Sequence, residues 1–405
     1  MVVQIDHEAR RVSAFFSNLI SELGAQTATD TVAVCVAHVL PTSPPFLQSI
    51  SEICPIAVLV PKPKSQDKHA VSWARKNLKC TVLEAYRETR DSTTESQDEF
   101  LARLIKLLQT PKLKSKKVVF IDIGGYFAPL LPALDQTLGD RFLGVMEGTE
   151  NGAQEYDRLY PPAIKPPAPI VTVARSPLKL PEDYLVGSSI VFSIESILRD
   201  HNQILQTRSA CVIGFGRVGS AVASSLRGRG IPTIVNDTHP VKMAEAAAQG
   251  YQVYPNVHDA VLRSSLIVSA TSSAALDERV MASVRTGAAV ATVTSRDTEF
   301  SGAGEFLKLN YNATPLDPKN VVRYDEKEVD RYFWLLNDGN APNFLHGAVL
   351  GPALQLIEGE KLAAVLGLAT LGEFNAIHAR TNLLEVDEDN RMSVARVWNE
   401  HFIGI

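Results

Sequence analysis

The period of apolar and polar residues changes several times along this chain. Over residues 8–23, Val12, Phe15, Phe16, Leu19, Ile20 and Leu23 recur every three or four positions and predict an amphipathic helix. Short β-branched runs follow at 31–36, 56–60, 81–84, 117–122, 142–146 and 169–173, with helical stretches between several of them, notably 99–108. Such alternation predicts a parallel sheet covered by helices. Pro161-Pro162 and Pro166-Pro167 mark a connector before the last of these strands. A helical stretch over 187–206 (Ile190, Val191, Ile194, Ile197, Leu198) then leads into a second series at 211–213, 233–235, 252–254, 266–271 and 288–294. A strand at 332–336, a polar loop at 337–343, a long helical pattern at 346–371 and a polar tail complete the chain. The expected fold is α/β, with two doubly wound Rossmann-like domains and a C-terminal helical extension. The expected boundaries are 1–190 for a substrate domain, 191–345 for a nucleotide domain, and 346–405 for a helix returning to the first domain, with its tail.

The nucleotide assignment rests on one segment. Cys211-Val212-Ile213 runs into Gly214-Phe215-Gly216-Arg217-Val218-Gly219, and a helical pattern continues over 220–226. Glycine at 214 permits a tight turn, at 216 lets backbone approach a pyrophosphate, and at 219 lets helix and strand pack closely. The positive end of the helix then faces the phosphates. The run 233–235 ends at Asn236-Asp237, which places a carboxylate 23 residues after Gly214 to accept hydrogen bonds from ribose hydroxyls. The pattern predicts NAD held by Gly214, Gly216, Arg217, Val218, Gly219 and Asp237, and the Asp237 charge would repel the 2′-phosphate of NADP. Thr271, closing the 266–271 run, is placed with them. The amino-terminal domain has no such fingerprint and is expected to hold the substrate.

Composition narrows the classes. A chain of 405 residues with 45% apolar and 21% charged residues suits a soluble globular protein of two or three domains. The net charge is −5, and the densest basic cluster, 112–117, precedes a strand and reads as a solvated loop, so no nucleic-acid partner is expected. No apolar run reaches the roughly 18 residues of a membrane span. The start, Met1-Val2-Val3-Gln4-Ile5-Asp6, lacks a charged-then-apolar leader. A cytoplasmic protein without membrane contact is expected. Cys35, Cys54, Cys80 and Cys211 are widely spaced, with no Cys-x-x-Cys pair, and read as buried reduced thiols rather than metal ligands.

Over residues 30–365 the sequence resembles the S-adenosylhomocysteine hydrolase superfamily. The match is carried by Cys35-Val36-Ala37-His38 at the end of the first strand, where the family has a catalytic His. It continues in Ser176-Pro177-Leu178-Lys179-Leu180-Pro181-Glu182-Asp183-Tyr184, which keeps the family's lysine and aspartate four apart, although Tyr184 replaces the asparagine that follows. Asp237 matches the ribose acid, and Asn343-Phe344-Leu345 resembles the Asn-Leu-Gly that meets the nicotinamide. Elsewhere the sequence departs. The family's catalytic aspartate falls on Ile123, within Ile121-Asp122-Ile123-Gly124-Gly125-Tyr126. Its second glutamate falls on Gly148, within Glu147-Gly148-Thr149-Glu150-Asn151-Gly152. Its Gly-His-Phe-Asp becomes Thr294-Ser295-Arg296-Asp297, and the last residues, 394–405, lack the family's Lys/Tyr tail.

The resemblance implies a closed NAD cycle. A nucleoside 3′-hydroxyl is oxidised, the C4′ proton becomes acidic, a C5′ group leaves, and the ketone is reduced again. Lys179 is then the base for the 3′-hydroxyl, Asp183 binds the adjacent hydroxyls, and His38 exchanges protons during elimination. Asp122, Glu147, Thr149 and His346 are candidate substrate ligands, with Asn343 at the cofactor. Plainer readings stand beside these. Lys179 and Asp183 also suit a surface i, i+4 ion pair, His38 a capped loop, Asp122 a turn cap, and Glu147 and Glu150 a solvated loop. The replaced acids favour a nucleoside lyase or dehydratase over S-adenosylhomocysteine hydrolase proper. An NAD-dependent dehydrogenase that releases NADH and a non-catalytic NAD-binding regulator remain open. The resemblance also implies a homo-oligomer, dimer or tetramer.

Overall fold

The computed structural model describes residues 2–24, 27–86, 97–271, 273–293, 299–300, 302–316, 321–370, 375–376 and 381–404. The chain divides into two compact units: Met1–Lys179 with Gly351–Ile405, and Leu180–Leu350.

The first unit opens with α1 (Val2–Glu22), then β1 (Thr31–Val39), α2 (Pro44–Ile53), β2 (Ile56–Gln66), α3 (Lys68–Asn77) and β3 (Thr81–Val82). It continues through α4 (Gln97–Leu108), β4 (Lys117–Asp122), α5 (Leu131–Leu138), β5 (Phe142–Glu147), α6 (Glu150–Leu159) and β6 (Ile170–Thr172). The second unit holds α7 (Leu180–Asp200), β7 (Ala210–Ile213), α8 (Arg217–Gly228), β8 (Thr233–Asn236), α9 (Pro240–Ala248), β9 (Gln252–Val253) and α10 (Val257–Leu262). Its remaining elements are β10 (Leu266–Ser269), α11 (Glu278–Ala282), β11 (Ala288–Thr292), α12 (Gly304–Asn310), β12 (Tyr311–Leu316), β13 (Val321–Glu326) and β14 (Tyr332–Leu335). The chain then returns to the first unit with α13 (Ala353–Thr370), β15 (Asn375–Ala376), β16 (Leu384–Glu385) and α14 (Glu388–Phe402).

Each unit is built on one twisted sheet. The strand orders are β15-β16-β6-β5-β4-β1-β2-β3 and β12-β13-β14-β11-β10-β7-β8-β9. Strands β1 to β6 are parallel, as are β7 to β11 and β14. In each sheet the order reverses at the middle, between β4 and β1 and between β10 and β7, which are the switch points of a doubly wound fold. The α/β expectation therefore holds.

Burial on both faces explains why the central strands read as continuous apolar runs. In β1, Ala33, Cys35 and Val39 face a layer containing Phe15, Phe16, Ile50, Ile357 and Val394. Val32, Val34 and Val36 face the opposite layer, with Phe100, Phe120, Phe127 and Tyr156. Helix α13 buries residues around its whole circumference, including Leu356, Ile357, Leu362 and Val365, which is why it carries no amphipathic stripe. The four cysteines are free and buried. Among the described residues, no helix is long and apolar enough to cross a membrane.

Three expectations need correction. The sheets are not wholly parallel, because β12–β13–β14 and β15–β16 add antiparallel pairs. Strand β12 is exposed at most positions, so its sequence lacks an apolar signal. The helix expected from His346 starts at Ala353. Before it, Pro342–His346 forms a 3-10 turn closed by Gly347 in the left-handed region, and Gly351 is left-handed as well. The polar tail is helix α14. Only Val394 and Val397 on it are buried, but Asp387 caps its start through Asn390 N–H at 2.9 Å, and Trp398 Nε1 donates to the Pro352 carbonyl at 2.7 Å.

Candidate functional site

In the first unit the candidate residues gather at the carboxyl ends of the strands, where parallel sheets bind ligands. His38 is the penultimate residue of β1, one strand from the switch-point neighbour β4, which ends at Asp122. Its Nδ1 shares a short hydrogen bond with the Ser65 hydroxyl near the end of β2. Burial, and then the like charges of Lys62, Lys361 and Lys179, hold the His38 pKa well below its usual value. The imidazole is therefore neutral at pH 7. Lys179 closes the 3-10 turn Pro177–Lys179 and is buried. A surface ion-pair role for it is thereby set aside.

Asp122 and Glu147 are fully buried. Asp122 accepts from Tyr126 N–H at 3.0 Å, Phe127 N–H at 2.9 Å and the Tyr156 hydroxyl at 2.8 Å, so it does cap the turn after β4. Glu147 accepts from Gly124 N–H at 3.1 Å, Gly125 N–H at 2.9 Å, and Thr149 through both N–H (2.6 Å) and hydroxyl (2.7 Å). Burial and the Asp122 charge push the Glu147 pKa up to about 7, against the opposing effect of these donors. Glu147 is thus no solvated-loop residue. Thr149 also caps α6 by accepting from Gly152 N–H at 3.2 Å. Asp122, Glu147 and Thr149 together shape the two loops beside His38. Glu150, the other candidate replacement acid, pairs with Arg175 at 3.0 Å.

In the second unit the glycine loop has the geometry its sequence implies. Gly214 adopts a φ of +94°, a region open mainly to glycine. A side chain at Gly219 would collide with the Gly214 carbonyl, while Gly216 faces open space. Helix α8 begins at Arg217, three residues before the sequence pattern suggested. Val218 packs against the core behind the loop. Asp237, directly after β8, accepts from Phe215 N–H at 2.6 Å and His239 N–H at 2.7 Å, which ties the acid to the loop. Thr271 lies beside Gly214, and its hydroxyl bonds to the buried Glu299 at 3.1 Å. Asp183, in the first turn of α7, is buried and pairs with Arg217 at 3.6 Å. His346 Nδ1 meets the Ser193 hydroxyl at 2.9 Å. Asn343 is buried, and its Oδ1 has no partner among the described residues.

These features fit a dinucleotide. The open face at Gly216 would let backbone approach a phosphate at the N-terminus of α8, Asp237 would accept from ribose hydroxyls, and Asn343 Oδ1 is a buried acceptor that a carboxamide N–H would satisfy. The segment Thr294-Ser295-Arg296-Asp297 lies outside the described residues. Sequence reasoning missed Lys62, Ser65, Lys361 and Glu299. Lys62 sits in Pro61-Lys62-Pro63-Lys64, whose prolines obscure the strand, and Lys361 sits on a helix without polarity of face. Neither position gives a local signal.

Comparison with known proteins agrees with this reading. Residues 184–341 match the family model described as S-adenosyl-L-homocysteine hydrolase, NAD binding domain. The adenosylhomocysteinase of Acinetobacter baylyi is 27% identical over 264 residues, covering 62% of this chain and 55% of the relative. That of Aeropyrum pernix is 24% identical over 287 residues, covering 68% of this chain and 65% of the relative. The matches thus span somewhat over half the length of these curated relatives. A phosphoglycerate oxidoreductase structure from Vibrio cholerae covers 85% of this chain and 100% of its own at 12% identity, with a TM-score of 0.45, a likeness too loose to carry any argument.

Proposed function

The chain is a distant member of the S-adenosylhomocysteine hydrolase superfamily with an NAD-binding domain, and on that premise we propose that it oxidises a nucleoside 3′-hydroxyl transiently to drive elimination or addition at C4′–C5′. What supports this most is that His38, at the carboxyl end of β1, and buried Lys179, in the turn that follows β6, lie at the same end of one parallel sheet. A base for the hydroxyl and a base for C4′ are then in one unit, at the end of the sheet where a ligand binds.

Bound NAD supplies reversible hydride acceptance from C3′. Lys179 takes the 3′-hydroxyl proton as that hydride leaves. Asp183, held beside Arg217, accepts hydrogen bonds from the ribose hydroxyls. The resulting carbonyl acidifies C4′–H. Neutral His38 accepts that proton, oriented by Ser65, while the C5′ group departs with its bonding electrons. The imidazolium so formed then has a proton to give to the leaving group, which avoids any need for a cationic resting state. Asn343 orients the cofactor amide, Asp122, Glu147 and Thr149 hold the loops around His38, and His346 with Ser193 steadies the turn that carries Asn343.

The test is to incubate the purified protein with NAD, adenosine and nucleosides bearing different C5′ groups in deuterated water. Mass spectrometry should find deuterium at C4′, and Lys179→Ala should abolish the exchange. Steady growth of NADH absorbance without C4′ exchange would identify a dehydrogenase instead. Exchange that persists in Lys179→Ala would remove the lysine from its role.

A further inference from the structure

Glu299 is 1% exposed, and the chemistry proposed above does not use it. It follows β11, the neighbour of β10 in the second sheet, at the end where the glycine loop also lies. Its carboxylate accepts from the Ser269 hydroxyl at 2.8 Å, and the Thr271 hydroxyl lies 3.1 Å from each of its oxygens. The backbone amides of Ala275 and Thr271 donate to it as well, and these four donors oppose the upward push of burial on its pKa. Leu276 N–H donates to its carbonyl at 3.1 Å. One acid thus gathers the turn that follows β10.

That turn borders the glycine loop. Strand β10 pairs with β7, and Ala270 N–H donates to the Ile213 carbonyl at 2.7 Å. From the position a Cβ would take at Gly214, the Ala270 carbonyl oxygen and Thr271 Cγ2 are each 2.9 Å away. Thr271 is only half-buried, unlike Ser269 and Glu299. An ionised carboxylate only accepts, so the hydroxyls of Ser269 and Thr271 both donate to it. A threonine hydroxyl has one proton and two lone pairs. At Thr271 the proton goes to Glu299, and Ser273 N–H at 3.2 Å takes one lone pair. What Thr271 offers a ligand is then the second lone pair. A phosphate oxygen is an acceptor too and gains nothing there, whereas a hydroxyl or an amide N–H does.

We propose that Glu299 is a positioning residue of the cofactor site: it holds the Thr271 hydroxyl as a donor to itself, so that beside the glycine loop Thr271 accepts a hydrogen bond from a ribose hydroxyl or the carboxamide N–H of NAD. The pyrophosphate is left to the backbone of the loop and the start of α8. A glutamine at 299 would still bridge the turn, but its amide N–H groups would deprive one hydroxyl of its acceptor and release the fixed orientation. The proposal concerns the cofactor alone and stands whether or not a nucleoside is the substrate.

Calorimetric titration of the full chain, freed of cofactor, at pH 8 provides the test. Glu299→Gln and Thr271→Val should each weaken NAD about tenfold, with the urea midpoint of the free protein little changed, and Thr271→Ser should stay within threefold of wild type. Adding Glu299→Gln to Thr271→Val should weaken NAD by less than a further twofold, because the acid acts through the hydroxyl. The ligand is varied in parallel: 3-acetylpyridine adenine dinucleotide lacks the carboxamide N–H, and deoxy analogues of NAD lack one ribose hydroxyl each. The analogue without the donor that meets Thr271 should bind wild type about tenfold more weakly than NAD and Thr271→Val no more weakly than NAD does, which also tells a ribose contact from a carboxamide contact. Should Glu299→Gln fail to fold, this analogue series decides. Wild-type affinity in folded Glu299→Gln, an equal loss with and without the Thr271 hydroxyl, or no analogue whose penalty disappears in Thr271→Val overturns the proposal.

Discussion

His38 shows how much chemistry a single position takes from its surroundings. Burial and then the charges of Lys62, Lys361 and Lys179 hold its pKa well below the ordinary 6.5. Below pH 6.5 the unfolded chain takes up a proton that the folded imidazole refuses, so the unfolded state binds more protons in that window. Stability should therefore fall as pH drops from about 6.5 towards the depressed folded pKa, and be unaffected by this group above it. His38→Asn keeps a polar partner for Ser65 and removes the titration. Urea midpoints at pH 7.5 and 5.5 should differ more for wild type than for the variant; equal differences would mean that His38 titrates normally. The sequence exposed His38, because it ends an apolar run. It did not expose Lys62 and Lys361, which come from β2 and α13, far apart in the chain, and meet His38 only through folding. It likewise left open what Asp122 and Glu147 do, since their partners are backbone N–H groups whose directions depend on loop conformation.

At the scale of elements, the contact between α7 and α8 is tightly constrained. A Cβ at Gly187 would lie 2.5 Å from Ala221 Cβ and 2.7 Å from the Ala221 carbonyl carbon, well inside van der Waals contact. Gly187→Ala must therefore separate two helices, at a cost of about 1–3 kcal/mol. Because α8 carries Arg217 and Gly219, the separation should also weaken NAD binding. Gly187→Ala combined with Ala221→Gly restores the room and should recover most of both losses, which chemical denaturation and NAD titration can measure. A single variant as stable as wild type would show that the helices adjust freely. The helices α7 and α8 were legible from their apolar spacing and from the glycine fingerprint. Elements whose burial is sparse or all-round were not: β12 is largely exposed, α14 buries two apolar residues fully, and α13 has no polar face to set its start.

At the scale of the molecule, the path of the chain makes a prediction about folding. Both apolar clusters of the second unit are drawn from residues between Val186 and Leu345, and its sheet takes every strand from that one continuous stretch. The first unit is assembled differently. One face of its sheet is covered by α1 and α2 together with α13 and α14, so that Phe15, Phe16 and Ile50 share a cluster with Ile357, Leu362, Val365 and Val394. Glu360 on α13 is fully buried and bonded at 3.0 Å to Arg391 on α14, which also reaches Glu385 at 2.9 Å. A segment ending at Lys179 would keep α1 and α2 but leave the part of that face under α13, over β4 and β5, open to water, and an exposed apolar sheet face drives aggregation. Residues 180–350 expressed alone should therefore fold cooperatively and bind NAD, because every candidate cofactor residue from Gly214 to Asn343 lies within them. Residues 1–179 alone should not fold, and adding 351–405 as a separate chain should rescue them. Circular dichroism, thermal unfolding and NAD calorimetry on the fragments test this. A folded 1–179 segment, or a 180–350 fragment without cooperative unfolding, would show that the two cores depend on each other in a way their separate residue sets do not require.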